Sequence, residues 1–123
     1  MKTIVAGSRS FKDYGKFKLI MDHHKNFITT IISGHASGVD QMGERYAREN
    51  NIHLEIFPAD WESYGKKAGY LRNIQMAEHA DFLIAFWDGE SKGTKHMIDI
   101  ANKRNIGTDI YYTYEINFKW QEI

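Results

Sequence analysis

The feature that most constrains this chain is a run of β-branched residues that stops at a glycine and reopens as a helix. Thr29 to Ile32 are all β-branched, Ser33-Gly34-His35-Ala36-Ser37-Gly38 form a glycine-punctuated turn, and apolar or small residues recur at Val39, Met42, Gly43, Tyr46 and Ala47. That i, i+3, i+4, i+7, i+8 spacing predicts a helix with one face in a core. A strand that feeds a helix through glycine leaves backbone N–H groups open at the helix start. With the helix dipole, those donors attract an anion, most often a phosphate. One such turn is more simply read as a tight strand-to-helix connection, but this chain repeats the device three times.

Thr3 to Ala6 is a solid apolar run, the pattern of a strand buried on both faces. Gly7-Ser8-Arg9-Ser10-Phe11 makes the first turn, and Tyr14, Phe17, Ile20, Met21 and His24 keep helical spacing to about residue 25. The second strand spans Phe27 to Ser33 and its helix Gly38 to about Asn50. Ile52 to Phe57 reads as a third strand, closed by Pro58, the sole proline. Residues 58–67 read as a polar and aromatic loop. A helix over about 68–79 follows, with Leu71, Ile74 and Ala77 as inner residues. Asp81 to Trp87 is a fourth strand, Asp88-Gly89-Glu90-Ser91-Lys92-Gly93-Thr94 the next turn, and Met97, Ile98 and Ala101 line a helix to about Lys103. Thr108 to Tyr114 is a fifth, more polar strand. The last nine residues extend or cover a sheet edge.

Strands alternating with helices predict an α/β fold: one doubly wound domain over residues 1–123, a mainly parallel five-stranded sheet with helices on both faces. Right-handed crossovers make 3-2-1-4-5 the economical strand order. Such a sheet reverses direction between strands 1 and 4, and ligands bind outside the strand carboxyl ends at that switch point. Seven of the ten glycines (7, 34, 38, 65, 69, 89 and 93) fall in strand-to-helix segments. The three glycine turns are therefore expected to meet around one phosphate-binding pocket.

Composition narrows the alternatives. Sixteen basic and sixteen acidic residues cancel, so no net field draws the protein to nucleic acid or anionic membrane. The absence of cysteine removes thiolate chemistry and fits a reducing cytoplasm. No apolar run approaches the roughly 20 residues of a membrane span, and the apolar start is too short for a signal peptide. His23 and His24 are adjacent on a helix, with rings about 100° apart. His35 and His96 lie in separate turns, and no spacing suits a metal centre. Neither a metal nor a resident cofactor is expected. Ser33 and Ser37 lack the Gly-x-Ser-x-Gly elbow of a nucleophile.

Taken together, Gly7-Ser8-Arg9, Ile32-Ser33-Gly34 with Ala36, Gly38 and Asp40, Pro58-Ala59-Asp60-Trp61, Gly65-Lys66, Ala68-Gly69, Arg72-Asn73, Met76, Asp81, and Gly93-Thr94 with Met97 resemble the YspA-related branch of the SLOG superfamily. These Rossmann-like proteins include the Lonely Guy phosphoribohydrolases and the DNA-processing protein DprA. The resemblance implies binding of a nucleotide or an ADP-ribose-like sugar phosphate, in sensing or signalling. It points to Gly7, Ser8, Arg9, Gly34, Gly38, Asp40, Lys66, Arg72, Asn73, Gly93 and Thr94 as ligand-binding residues. Arg72 is similar to the ligand-contacting arginine of Lonely Guy enzymes, and Gly93-Thr94 to the end of their phosphate loop.

Each residue has a structural reading beside the functional one. Arg9 and Lys66 are phosphate cations or solvated loop charges. Asp40 completes a capping box with Ser37 or contacts a ribose, and Thr94 caps a helix, binds phosphate, or does both. Asp60, Trp61 and Tyr64 stack a base or pack their loop down. Lonely Guy enzymes place a glutamate two residues after their Gly-Thr, where this chain has His96. That substitution argues against base release by an N-glycosidic hydrolase and leaves Arg72 and His96 as the candidate catalytic residues. His35 stands where many relatives of the branch have a second glycine, which narrows that turn. A DprA-like grip on single-stranded DNA is disfavoured by the charge balance. Related SLOG proteins are commonly oligomeric, and the aromatics Tyr111, Tyr112, Tyr114, Phe118 and Trp120 either cover a sheet edge or form a homodimer interface.

Overall fold

A computed structural model describes residues 1–119. Its chain order is β1 (Lys2–Gly7), α1 (Tyr14–His24), β2 (Thr30–Ser33), α2 (Val39–Glu49), β3 (His53–Ile56), α3 (Trp61–Tyr64), α4 (Ala68–His79), β4 (Phe82–Trp87), α5 (Lys92–Lys103), β5 (Gly107–Tyr112) and α6 (Thr113–Lys119). The five strands form one sheet in the order β3-β2-β1-β4-β5, every pair parallel. This is the doubly wound arrangement that the alternation of strands and helices predicts.

Side chains alternate across the pleat and so build two cores. Val5, Ile31, Ile84 and Phe86 join Phe17, Ile20 and Met21 of α1 and Val39 and Tyr46 of α2 on one face. On the other, Ile4, Ala6, Ile32, Leu83 and Ala85 meet Met76 and Ala77 of α4 and Met97, Ile98 and Ala101 of α5. The stripe predicted for α2 is buried at all five positions.

The structure corrects two strand ends, one loop and one helix face. Residues Lys25–Phe27 form a 3-10 turn, so β2 begins at Thr30 instead of Phe27. Part of the expected 58–67 loop is helical. Asp60 Oδ1 accepts the Ser63 N–H at 3.1 Å, which caps α3, and Gly65–Lys67 is a second 3-10 turn. Strand β5 stops at Tyr112, two residues early, where α6 takes over.

On α4, Ala77 is buried as expected, but Leu71 and Ile74 are exposed and Asn73 and Met76 take the inner arc. The cause is polar. The Asn73 amide donates to the Gly93 carbonyl at 3.2 Å and lies 3.1 Å from His96 Nδ1, and these contacts fix the rotation of the helix.

Among the C-terminal aromatics, Tyr111 stacks on Phe86 and Tyr112 packs on Trp87, with ring centroids 5.7 and 5.9 Å apart. Trp120 and the side chain of Phe118 lie outside the described residues. No helix among the described residues is long and apolar enough to cross a membrane.

Met76 tests the rotation of α4. Truncating it (Met76→Ala) deletes a side chain that is 2% exposed and is expected to cost about 2–5 kcal/mol in urea-induced unfolding.

Candidate functional site

The central strand pair brings the turns together. Gly7 of β1 pairs with Phe86 of β4, and one residue later the Ser8 N–H still donates to the Phe86 carbonyl, at 2.9 Å. The buried Ser8 hydroxyl accepts the Asp88 N–H at 3.1 Å and lies 3.2 Å from Ser91 Oγ. Its carbonyl accepts the Val39 N–H at 3.4 Å, the first residue of α2. Ser8 therefore ties the turns after β1, β2 and β4 to one another. Gly38 closes the second junction at φ +76°, and a Cβ there would meet the Arg9 carbonyl at 2.5 Å. Only glycine suits both the left-handed backbone and that close approach.

These turns, with α3 and the start of α4, enclose a cavity of about 520 Å³, a common size for a small-molecule site. Of the residues expected from sequence, Gly7, Arg9, Asp40, Lys66, Arg72, Asn73, Gly93 and Thr94 line it. Ser8, Gly34, Gly38 and His96 do not. Ser8 and Gly38 shape the turns. Gly34 lies behind the wall, where its carbonyl accepts a hydrogen bond from Arg72 Nη1. His96 is held against Asn73 and the Tyr70 ring, whose centroid is 4.4 Å away, and burial pulls its imidazole below the ordinary histidine range.

Sequence reasoning missed Lys92, Tyr70, Ser91 and Ser10, which also line the cavity. Lys92 had a legible signal, since it immediately precedes Gly93-Thr94. Ser91 had another: Asp88 three residues earlier begins an Asx turn. Asp88 Oδ1 accepts the N–H groups of Glu90 and Ser91 at 2.8 and 2.7 Å, and Oδ2 accepts the Ser91 hydroxyl at 3.0 Å. Those backbone donors, Ser91 first, hold the Asp88 carboxyl below the usual range.

The electrostatics are one-sided. Arg9, Lys66, Arg72 and Lys92 bring four cations to the wall, and Asp40 is the one carboxylate among the described lining residues. Helix α5 opens onto the same space with no acidic side chain in its first turn and no side-chain cap from Ser91, whose hydroxyl is committed to Asp88. Its first N–H groups lack intrahelical partners and add the positive end of the helix dipole. Trp61 and Tyr70 place rings at the rim, both more than a third exposed.

Asp40 sits in the first turn of α2, where the cap position is Gly38 and no side-chain cap bond forms. The capping-box role expected with Ser37 is therefore not made. Asp40 Oδ2 accepts the Ala36 N–H at 3.1 Å, folding the turn over itself. Burial pushes this carboxyl up to about 6, against the pull of the Ala36 N–H and the Arg72 guanidinium.

Behind the turn, the buried carboxylate of Glu44 accepts the Ser33 hydroxyl at 2.8 Å and lies 2.9 Å from His35 Nδ1. His35 adopts φ +62°, the left-handed region that glycine occupies without strain. Its ring turns to Glu44 and is absent from the cavity wall. Among the described residues no cluster of three or more histidines and carboxylates is placed to hold a metal ion.

Asp40 makes stability depend on pH. Its folded value of about 6 lies above the ordinary 3.8 of a free aspartate, so between these the folded protein keeps a proton that the unfolded chain has released. Its contribution is complete below about pH 4 and declines as pH rises toward 7, by up to about 3 kcal/mol at 1.36 kcal/mol per pKa unit. Asp40→Asn cannot titrate. Urea unfolding at pH 4 and pH 7 is expected to show the parent losing ground to this variant as pH rises.

A family model described as "YspA, cpYpsA-related SLOG family" matches residues 1–64, which hold β1, β2 and the first two glycine turns. The chain is also 37% identical over 114 residues to the Gene 61 protein of Mycobacterium phage D29, an alignment covering 85% of this chain and 91% of the phage protein. No solved structure matches it. By the family model and the phage relative together, the chain belongs to the YspA, cpYpsA-related SLOG family.

Proposed function

We propose that the protein binds a nucleotide or a nucleotide-derived sugar phosphate, such as an ADP-ribose-like molecule, at the sheet's switch point, and that it acts as a sensor or signalling module. The observation that carries this reading is the convergence of four cations and the open start of α5 on one cavity in a protein of zero formal net charge. A phosphate fits that concentration of donors. In this reading the amides of Gly93 and Thr94 and the guanidiniums of Arg9 and Arg72 hold phosphate. Asp40 accepts from a ribose hydroxyl, and Trp61 or Tyr70 stacks a base. Balanced overall charge favours a small ligand over single-stranded DNA.

A nucleotide panel read by thermal shift tests the proposal. A ligand at ~100 times its dissociation constant is expected to stabilise the fold by about 2.7 kcal/mol, several degrees for a domain of this length. Arg72→Ala is expected to weaken binding by about tenfold to a hundredfold, the effect of losing one charge-assisted contact. A panel without any shift, or an Arg72→Ala variant that binds like the parent, refutes the assignment.

Base release is the second reading, and Asp40 is what favours it. A buried carboxylate with its pKa pushed up to about 6 on the wall of a cleft has the character of a general acid or base. Hydrolysis of an N-glycosidic bond must also stabilise a developing sugar cation. Here four cations outnumber one carboxylate, and His96 is withdrawn behind Asn73. The expected outcome is binding with little turnover when AMP and other nucleoside monophosphates are incubated with protein and free base is followed by chromatography. Turnover near ~10 per second, lost in Asp40→Asn or His96→Ala, would establish an enzyme.

A further inference from the structure

Helix α4 carries an outer face that no element among the described residues covers. Leu71 is 41% exposed and Ile74 36%, with Tyr70 beside them at 45%. Lys67 and Glu78 end the same stripe. Both are exposed, and neither makes an ion pair among the described residues. At about 100° per residue, Lys67, Leu71, Ile74 and Glu78 fall within roughly 60° of arc. Lys67 already has helical dihedrals, φ −78° and ψ −13°, so the stripe is continuous.

The stripe is self-complementary when read backwards. Its midpoint falls between Arg72 and Asn73. Lys67 and Glu78 are equidistant from that point, as are Leu71 and Ile74, and Tyr70 and Gln75. A two-fold axis through the midpoint lays α4 of one copy antiparallel on α4 of another. Lys67 then meets Glu78 of the second copy at both ends, and Leu71 meets Ile74 across the centre. An isologous interface requires this self-matching of one patch, and apolar centre with charged rim is the usual anatomy. A parallel pairing, by contrast, would set lysine against lysine and glutamate against glutamate.

We infer that the outer face of α4 is a docking surface for a second copy of this chain, paired antiparallel through Leu71 and Ile74 with Lys67–Glu78 ion pairs at its ends. Of the C-terminal aromatics expected from sequence either to cover a sheet edge or to form an interface, Tyr111 and Tyr112 pack on Phe86 and Trp87 of the protein's own sheet. The proposal stands independently of the ligand, because Lys67, Leu71, Ile74 and Glu78 do not line the cavity, whereas Tyr70, Arg72 and Asn73 of the same helix do.

Sedimentation velocity and light scattering on the full chain, without added ligand, test it. The parent is expected to be a dimer at micromolar concentration. Leu71→Asp is expected to raise the dimer dissociation constant by at least about a hundredfold, with an unchanged far-ultraviolet circular dichroism spectrum. Lys67→Glu and Glu78→Lys alone each weaken the dimer by about fivefold, and the double reversal Lys67→Glu/Glu78→Lys restores it. The single reversals lie on the exposed rim, so they keep the test sharp if Leu71→Asp fails to fold. A parent that stays monomeric at hundreds of micromolar, a dimer indifferent to Leu71→Asp, or a double reversal no tighter than the singles overturns the inference.

Discussion

The pairing of β1 with β4 decides where everything else in this protein goes. Five residue pairs run in register from Thr3–Phe82 to Gly7–Phe86, and β4 continues one residue further, to Trp87. Because crossovers leave β1 toward one side of the sheet and β4 toward the other, their ends cannot be closed by a single connection. The gap is bridged instead by Ser8, which is buried and bonded to both sides. A serine suits this position on size and chemistry alike. Its hydroxyl satisfies a turn amide that the strand ladder no longer reaches, in a place where an unpaired donor would be costly.

The cavity so formed concentrates charge in a way the whole chain does not. A neutral protein exerts little long-range attraction on an anion, but a cleft lined by one sign focuses its field locally. The counterweight is Asp40. Its burial raises the cost of its own charge, and Arg72 reduces that cost from nearby. Arg72 is in turn partly desolvated, which pulls its guanidinium down while Asp40 pushes it back up. Two groups that would each be expensive to bury alone are thus held in mutual dependence. Arg72 also donates to the Gly34 carbonyl and, through Nε, to Asn73 Oδ1 at 3.1 Å. The side chain is oriented before any ligand arrives, so less conformational entropy is lost on binding.

How much of this was legible in the sequence depended on whether apolar pattern or polar contact set the local structure. For β1 and β4 solid apolar runs, and for β2 a β-branched run ending at glycine, read as strands, and the strand order followed. The α2 stripe was legible because every residue in it is apolar or small. On α4 the same rule picked Leu71 and Ile74 as inner residues, since hydrophobicity alone ranks them above asparagine. Asn73 won the inner arc through two specific partners, Gly93 and His96, which lie 20 and 23 residues away in the chain. No local pattern encodes a partner that distant. The short helix α3 was hidden for a related reason: it is one capped turn, held by Asp60, too brief to show a period. Lys92 looks like an ordinary surface lysine, and its one signal was its place directly before Gly93-Thr94.

The rotation of α4 that misled the apolar pattern also explains why two large hydrophobic side chains stand in water. A helix that presents Arg72 and Asn73 to the cavity and packs Met76 and Ala77 in the core has used up its inner arc. Whatever occupies the opposite arc is free of both tasks, and a solvated helix face would ordinarily carry charge there. Lysine and glutamate do appear, but only at the ends, and leucine and isoleucine lie between them. Solvent exposure gives no advantage to that arrangement. Contact with a matching face does, because it buries the centre and pairs the ends. The inner and outer arcs of α4 therefore impose separate demands on one rigid element. A change in either that rotates the helix would be felt at the cavity and at the outer face together.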